Sequence, residues 1–296
     1  MKPENFDAYW RTVLDELAVL PMAAELTELP IRSNEHGAVY ALKLTSLGAY
    51  RIFAYYCVPH SMGKEGPFPC GVHLPRYGSV NHIPPYEERQ HYVSVQLCHR
   101  GQRLADSPYA AAYPGLLTDG RDDPTRYIFR GIVADCARVM DFVFTRAEVD
   151  QNHISIVGND LALIAAALRP NVDSVITHPE LFYNATELAP KTRGYPLEEV
   201  NEFRSFYADK AEAAQCTLSY FDPLHFAPRV KATTLLVSGT ERDLFSPERC
   251  APLAAALGGP VERRVGAHSS YRDGVSEIEW LARRHGVAAV VPSHWQ

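Results

Sequence analysis

Apolar residues recur at helical spacing near the start of the chain. Phe6, Trp10, Val13, Leu14 and Leu17 fall on one stripe, so an amphipathic helix is expected there. The period then changes from 3.6 to 2. "VYALKLTS" and "YRIFAYYCVP" alternate like two antiparallel strands with Leu-Gly between them. "CGVHL" (70–74) and "YVSVQL" (92–97) are short apolar strands. Residues 101–130 are rich in Gly, Pro and Asp and read as a long surface excursion. Ile132, Val133, Cys136, Val139, Met140 and Val143 form a second helical stripe. Strands are expected at 154–158, 172–179, 233–239 and 261–265. Helices are expected between them, near 247–257 and near 273–285. Strands alternating with helices after residue 70 predict a mostly parallel sheet with helices on both faces, an α/β fold. No repeat or linker divides the chain, so 1–296 is read as one domain with an inserted, cap-like segment at about 180–226.

One stretch raises a chemical question. "ISIVGNDLALIAAAL" reads as a buried strand, a sharp turn and an Ala/Leu-rich helix, with Pro170 past its end. A Gly-x-Ser-x-Gly turn in this setting carries a serine nucleophile. Here the turn is Gly158-Asn159-Asp160-Leu161-Ala162. Catalytic groups of parallel sheets gather at the carboxyl ends of strands. Asp160, Asp243 and His268 all follow strands, in the order nucleophile, acid, histidine. Each alone is a weak signal, since an aspartate before a helix is often only a cap. The three in this order form a candidate triad.

Composition narrows the partners. The chain has 296 residues, a net charge of −6, and no run of like charges. That disfavours nucleic acid and anionic membranes and leaves a small-molecule substrate. The charged start "MKPENFDAYWRTVLDEL" is not a signal peptide and no apolar run spans a bilayer, so a cytoplasmic location is expected. The six cysteines are scattered and read as reduced core residues. The sequon Asn184-Ala185-Thr186 carries no weight without a secretory signal. His73, His82, His91 and His99 lack metal-ligand spacing, and no Gly-rich nucleotide fingerprint is present, so no metal and no cofactor are expected. Tyr86, Phe182 and Tyr183 are candidate pocket walls, and Arg100 is a candidate structural ion-pair partner.

Five stretches carry a family resemblance: "FDAYW", "HRGQ" (99–102), "PGLLTDG…YIFRGIVADCARVMDF", "VDQNHISIVGND" and "TLSYFDPLHFAPRV". Together the chain resembles the acetyl xylan esterase / cephalosporin C deacetylase family of α/β-hydrolases, nearly end to end. The resemblance implies an α/β-hydrolase fold, a homo-oligomer, Asp243 as acid and His268 as base. It also exposes departures. The family turn Gly-Gly-Ser-Gln-Gly is matched with Asp160 for Ser, Leu161 for Gln and Ala162 for Gly. The family's His-Gly-Tyr loop matches Pro75-Arg76-Tyr77, which keeps the tyrosine and puts Arg76 at the glycine.

Aspartate is ionised at neutral pH and needs no base to attack. Attack on an acyl carbon gives a mixed anhydride. Attack on a saturated carbon (alkyl, epoxide, halide or glycosidic) gives an ester that a histidine-activated water hydrolyses. On that reading Asp160 is nucleophile, His268 activates water and Asp243 orients His268. The N–H groups of Tyr77 and Leu161 form the oxyanion hole, and Arg76 binds substrate or pairs with Asp160. Two alternatives stand beside it: a catalytically inactive or repurposed homologue, and a lyase using acid/base catalysis without a covalent intermediate.

Overall fold

The structure is a computed structural model and describes residues 1–60 and 66–295. Nine strands form one sheet: β1 (Glu25–Glu28), β2 (Gly37–Ser46), β3 (Tyr50–Pro59), β4 (Phe68–His73), β5 (Val93–Cys98), β6 (Val149–Gly158), β7 (Ser174–Thr177), β8 (Thr233–Ser238) and β9 (Val261–Val265). Their order across the sheet is β1-β2-β3-β5-β4-β6-β7-β8-β9. The first four neighbours pair antiparallel, and every pair from β5–β4 onwards is parallel. The β2–β3 register runs from Gly37↔Pro59 to Ser46↔Tyr50. Its turn places Gly48 at φ +72°, a left-handed conformation in which glycine has no Cβ to strain.

Eight helices flank the sheet: α1 (Phe6–Ala18), α2 (Ile128–Val143), α3 (Asp160–Leu168), α4 (Ala185–Leu188), α5 (Glu198–Phe206), α6 (Ala211–Ser219), α7 (Ala251–Ala256) and α8 (Ser270–His285). Strand alternation sorts the core into two faces. Ile154, Ile156, Val175 and Leu236 join the large cluster with α1, α2, α3 and α7. Val157, Ile176, Leu235 and Val237 point the other way and meet Trp280 and Leu281 of α8. All nine residues of α3 are buried, as expected for a helix apolar all round.

The ends of the chain's main motifs lock together. Phe6, Trp10, Val13 and Leu17 of α1 are buried. Trp10 Nε1 donates to the Tyr220 carbonyl at 2.9 Å, and Phe6 meets Phe226 edge to face. The far part of the insertion is thereby fixed to the first helix. Five of the six cysteines are buried, Cys216 is exposed, and all are free thiols.

Arg100 is an ion-pair partner. Its Nε and Nη2 donate to the fully buried Asp135 carboxylate at 2.9 and 2.7 Å, and its backbone N–H adds a third bond at 3.0 Å. Nη2 also donates to Leu47 at the β2–β3 turn. The guanidinium fills the space where Gly131 lacks a side chain. Removing one partner strands the other charge in the interior. Asp135→Ala is therefore expected to cost about 3–5 kcal/mol, read as a lower midpoint in urea unfolding; an unchanged midpoint would refute the assignment.

Candidate functional site

A cleft of about 600 Å³ opens at the carboxyl ends of the parallel strands. Arg76, Glu180, Tyr195, Asp243, Phe245 and His268 are among its lining residues. Thr192, Gly194, Tyr195, Pro196 and Leu197 form one wall.

Asp243 follows β8 and His268 follows β9. The turn at 239–243 bends back so that Asp243 Oδ2 accepts from the Thr240 hydroxyl at 2.7 Å and from its N–H at 2.5 Å. Gly239 permits this, because a Cβ there would lie 2.5 Å from Asp243 Cβ. His268 Nε2 lies 2.7 Å from the same oxygen. The Thr240 hydroxyl and then the imidazole hold the Asp243 carboxyl below its usual pKa, opposed by some desolvation. His268 sits at φ +52°, in the left-handed region that favours glycine, and its side chain is 63% exposed. The ring nitrogen bonded to Asp243 is Nε2, which leaves Nδ1 as the free one. In the serine triad Nε2 is the nitrogen that faces the nucleophile.

Asp160 stands apart from this pair. It is the first residue of α3, wholly buried, and is not among the residues lining the cleft. Its Oδ2 accepts from the N–H groups of Glu180 (2.8 Å) and Leu181 (2.6 Å), and its Oδ1 from Tyr183 (3.0 Å). Burial pushes its pKa up, while these N–H groups pull it down without fully offsetting the desolvation. The expected pairing with Arg76 is replaced by these backbone contacts. The Arg76 charge acts on Glu180 instead.

The expected oxyanion donors are also engaged. Asn159, the cap of α3, accepts the Leu161 N–H on its Oδ1 at 3.0 Å. Its Nδ2 donates to Glu180 Oε2 at 3.0 Å. The Tyr77 N–H faces that same Glu180 carboxylate, and the Tyr77 hydroxyl is bonded to Glu199. Glu180 thus lies with one edge on the two expected donor loops and one side on the cleft. Desolvation raises its pKa. The sequence reading missed Glu180. The available signal was an acidic residue three places beyond the end of β7.

Other expectations shift as well. Phe182 and Tyr183 are core residues, and Tyr86 is exposed away from the cleft. Tyr195 and Phe245 supply the aromatic walls. His99 is buried and His73 half-buried, and desolvation pushes both down to about 4. His82 contacts Arg103. Among the described residues no group of three or more His, Cys, Asp or Glu could hold a metal ion, and no helix is long and apolar enough to cross a membrane.

Residues 1–252 match the acetyl xylan esterase family, a span that includes Asp160, Glu180 and Asp243 and stops before His268. The chain belongs to the acetyl xylan esterase family. It is similar to acetyl esterase Axe7A of Xylanibacter ruminicola, with 23% identity over 262 residues, 83% of this chain. The aligned region is 58% of that protein, so this chain spans a little over half of its length. Two solved structures share the fold. The acetyl xylan esterase from Paenibacillus sp. R4 aligns with a TM-score of 0.82 at 22% identity. Acetyl xylan esterase 1 from Thermoanaerobacterium sp. JW/SL YS485 aligns with 0.82 at 21%. Both alignments cover 96% of this chain and 95% of the other. The sheet and its helices are those of an α/β-hydrolase.

The Asp160 contacts give a stability prediction for this family member. Asp160→Ser shortens the side chain and leaves buried N–H groups of 180–183 unpaired, each worth about 1–3 kcal/mol. A loss of at least about 3 kcal/mol is expected in chemical unfolding. Asp160→Asn turns an amide N–H₂ towards donors and is expected to lose stability too. Two variants as stable as the parent would show that the carboxylate is not needed to hold the loop.

Proposed function

We propose that this chain is an esterase-family α/β-hydrolase whose cleft acts on a small polar molecule without a covalent intermediate at position 160. Asp160 serves as a structural anchor. Glu180 and the Asp243–His268 pair are the chemical groups of the cleft. The observation that carries this reading is the Asp160 carboxylate, whose two oxygens are committed to three backbone N–H groups.

Two further points support it. Acyl transfer needs free donors where the oxyanion forms, and here Leu161 N–H is bonded to Asn159 while Tyr77 N–H faces Glu180. A carboxyl with a raised pKa and an imidazole oriented by a carboxylate are the two partners that acid/base chemistry requires. Glu180 supplies the acid and His268 the base. Relatives are named for acetyl esters and acetyl xylan, so acetylated xylo-oligosaccharides are the first ligands to test.

Attack by Asp160 on a saturated carbon is the second reading. The retained Asp243–His268 pair favours it, since a water-activating base is what that route needs after the first step. It requires the 180–183 backbone to release the carboxylate.

Intact-protein mass separates the two. His268→Ala is exposed to haloalkane, epoxide, glycoside and acetylated sugar. No stable adduct is expected; an adduct mapped to Asp160 would overturn the non-covalent reading. In parallel, Asp160→Ser is expected to bring no burst on a chromogenic acetyl ester, because the Leu161 N–H stays bonded to Asn159 and Glu180 faces the Tyr77 N–H. A burst of one equivalent would show that the esterase machinery is intact.

A further inference from the structure

The inserted segment holds a pocket of its own, of about 180 Å³, lined by residues of α4, α5 and α6. Val200, Phe203, Ala211 and Ala214 give it an apolar part, and Thr186 and Gln215 add polar groups. Arg121 reaches it from the long excursion that precedes α2. None of its lining residues belongs to the cleft, so what it binds does not depend on how the cleft works.

Arg121 is only 4% exposed. Two other interior arginines show how this fold normally treats such a charge. Arg100 is clamped by Asp135, and Arg138 donates to the Leu17 and Leu20 carbonyls at 2.6 and 3.0 Å. Arg121 has neither arrangement. Its Nε reaches the Ala214 carbonyl only at 3.5 Å. Nη1 is sealed from the surface and has no hydrogen-bond partner among the described residues. Nη2 is the guanidinium nitrogen left to face the pocket. The face of the Phe203 ring, 5.4 Å from the guanidinium carbon, is a weak support. Burial pulls the Arg121 pKa down, opposed by Tyr127, and no described carboxylate pairs with it. A buried cation without an anion is costly.

We propose that this pocket binds a small aliphatic carboxylate, with its anionic end on Arg121 Nη2 and its carbon chain against Phe203 and Ala214. A carboxylate accepts a charge-assisted hydrogen bond from Nη2 and supplies the counter-charge that the fold omits. Arg204 is a second cation in the lining, and α6 brings the positive end of its dipole there without a side-chain cap. Glu212 is the one carboxylate of the lining. Two arginines against one glutamate leave a single positive charge, which a monoanion neutralises and a phosphate dianion exceeds. The apolar part of the lining suits a short carbon chain and offers nothing to a second charged group.

The test uses the whole chain at pH 7 and constant ionic strength, with acetate, acetamide and inorganic phosphate as probes. Titration calorimetry is expected to show acetate bound at least about tenfold tighter than acetamide, its uncharged isostere, the worth of one charge-assisted hydrogen bond. Phosphate is expected to bind more weakly than acetate. Arg121→Met is expected to lose at least about tenfold in acetate affinity. Arg76→Met removes the arginine of the cleft and is expected to bind acetate as the parent does. A crystal grown in acetate should place the carboxylate within hydrogen-bond reach of Arg121 Nη2. Acetamide bound as tightly as acetate, phosphate bound more tightly, or an acetate affinity unchanged in Arg121→Met would each overturn the proposal. So would acetate binding lost in Arg76→Met, or ordered water alone beside Nη2. Should Arg121→Met fail to fold, the three probes on the parent, the Arg76→Met titration and the crystal decide.

Discussion

Buried backbone N–H groups must find acceptors, and the segment after β7 is where that demand is sharpest. Residues 180–183 turn away from the sheet beside a helix with nine buried residues. Leu181, Phe182 and Tyr183 are buried there, and Glu180 is half-buried at the cleft. One carboxylate, at the first position of that helix, accepts three of their N–H groups. Charge-assisted bonds of this kind are shorter and stronger than neutral ones. The start of the insertion, the position of Glu180 and the wall of the cleft all follow from that anchor.

The anchor links two features of the site. Asp160 fixes the loop, and the loop carries Glu180 to the edge of Asn159 and Tyr77. The carboxylate of Glu180 then lies where the family resemblance puts oxyanion donors. A developing oxyanion would find a carboxyl group there in place of free N–H donors. The Asp243–His268 pair is unaffected, since Thr240 and Gly239 hold Asp243 from its own turn. The cleft therefore holds the Asp243–His268 pair, while Asp160 lies buried apart from it.

Periodicity made the fold legible. Alternation in 39–46 and 50–59 gave the antiparallel pair, and apolar runs separated by helical stripes gave the parallel half of the sheet. The order of Asp160, Asp243 and His268 pointed to the correct ends of strands. What sequence could not show was where each side chain goes once the strand has ended. Asp160 turns inward because three donors lie 20 to 23 residues further on, a contact no local pattern encodes. The aromatic walls were misassigned for the same reason. Phe182 and Tyr183 are pulled into the core by that loop, while Tyr195, further along, reaches the cleft.

The triple bond at Asp160 also bears on how such a chain can change over generations. Folded domains hold a margin of only about 5–15 kcal/mol. A residue that supports a buried loop is no longer free to vary for the sake of chemistry alone. A serine introduced at 160 would first take from that margin, and any gain at the cleft would also require Glu180 to move aside. Two or more coordinated replacements separate this arrangement from a serine-based site. The contact works as a ratchet: cheap to keep, and steep to reverse one step at a time.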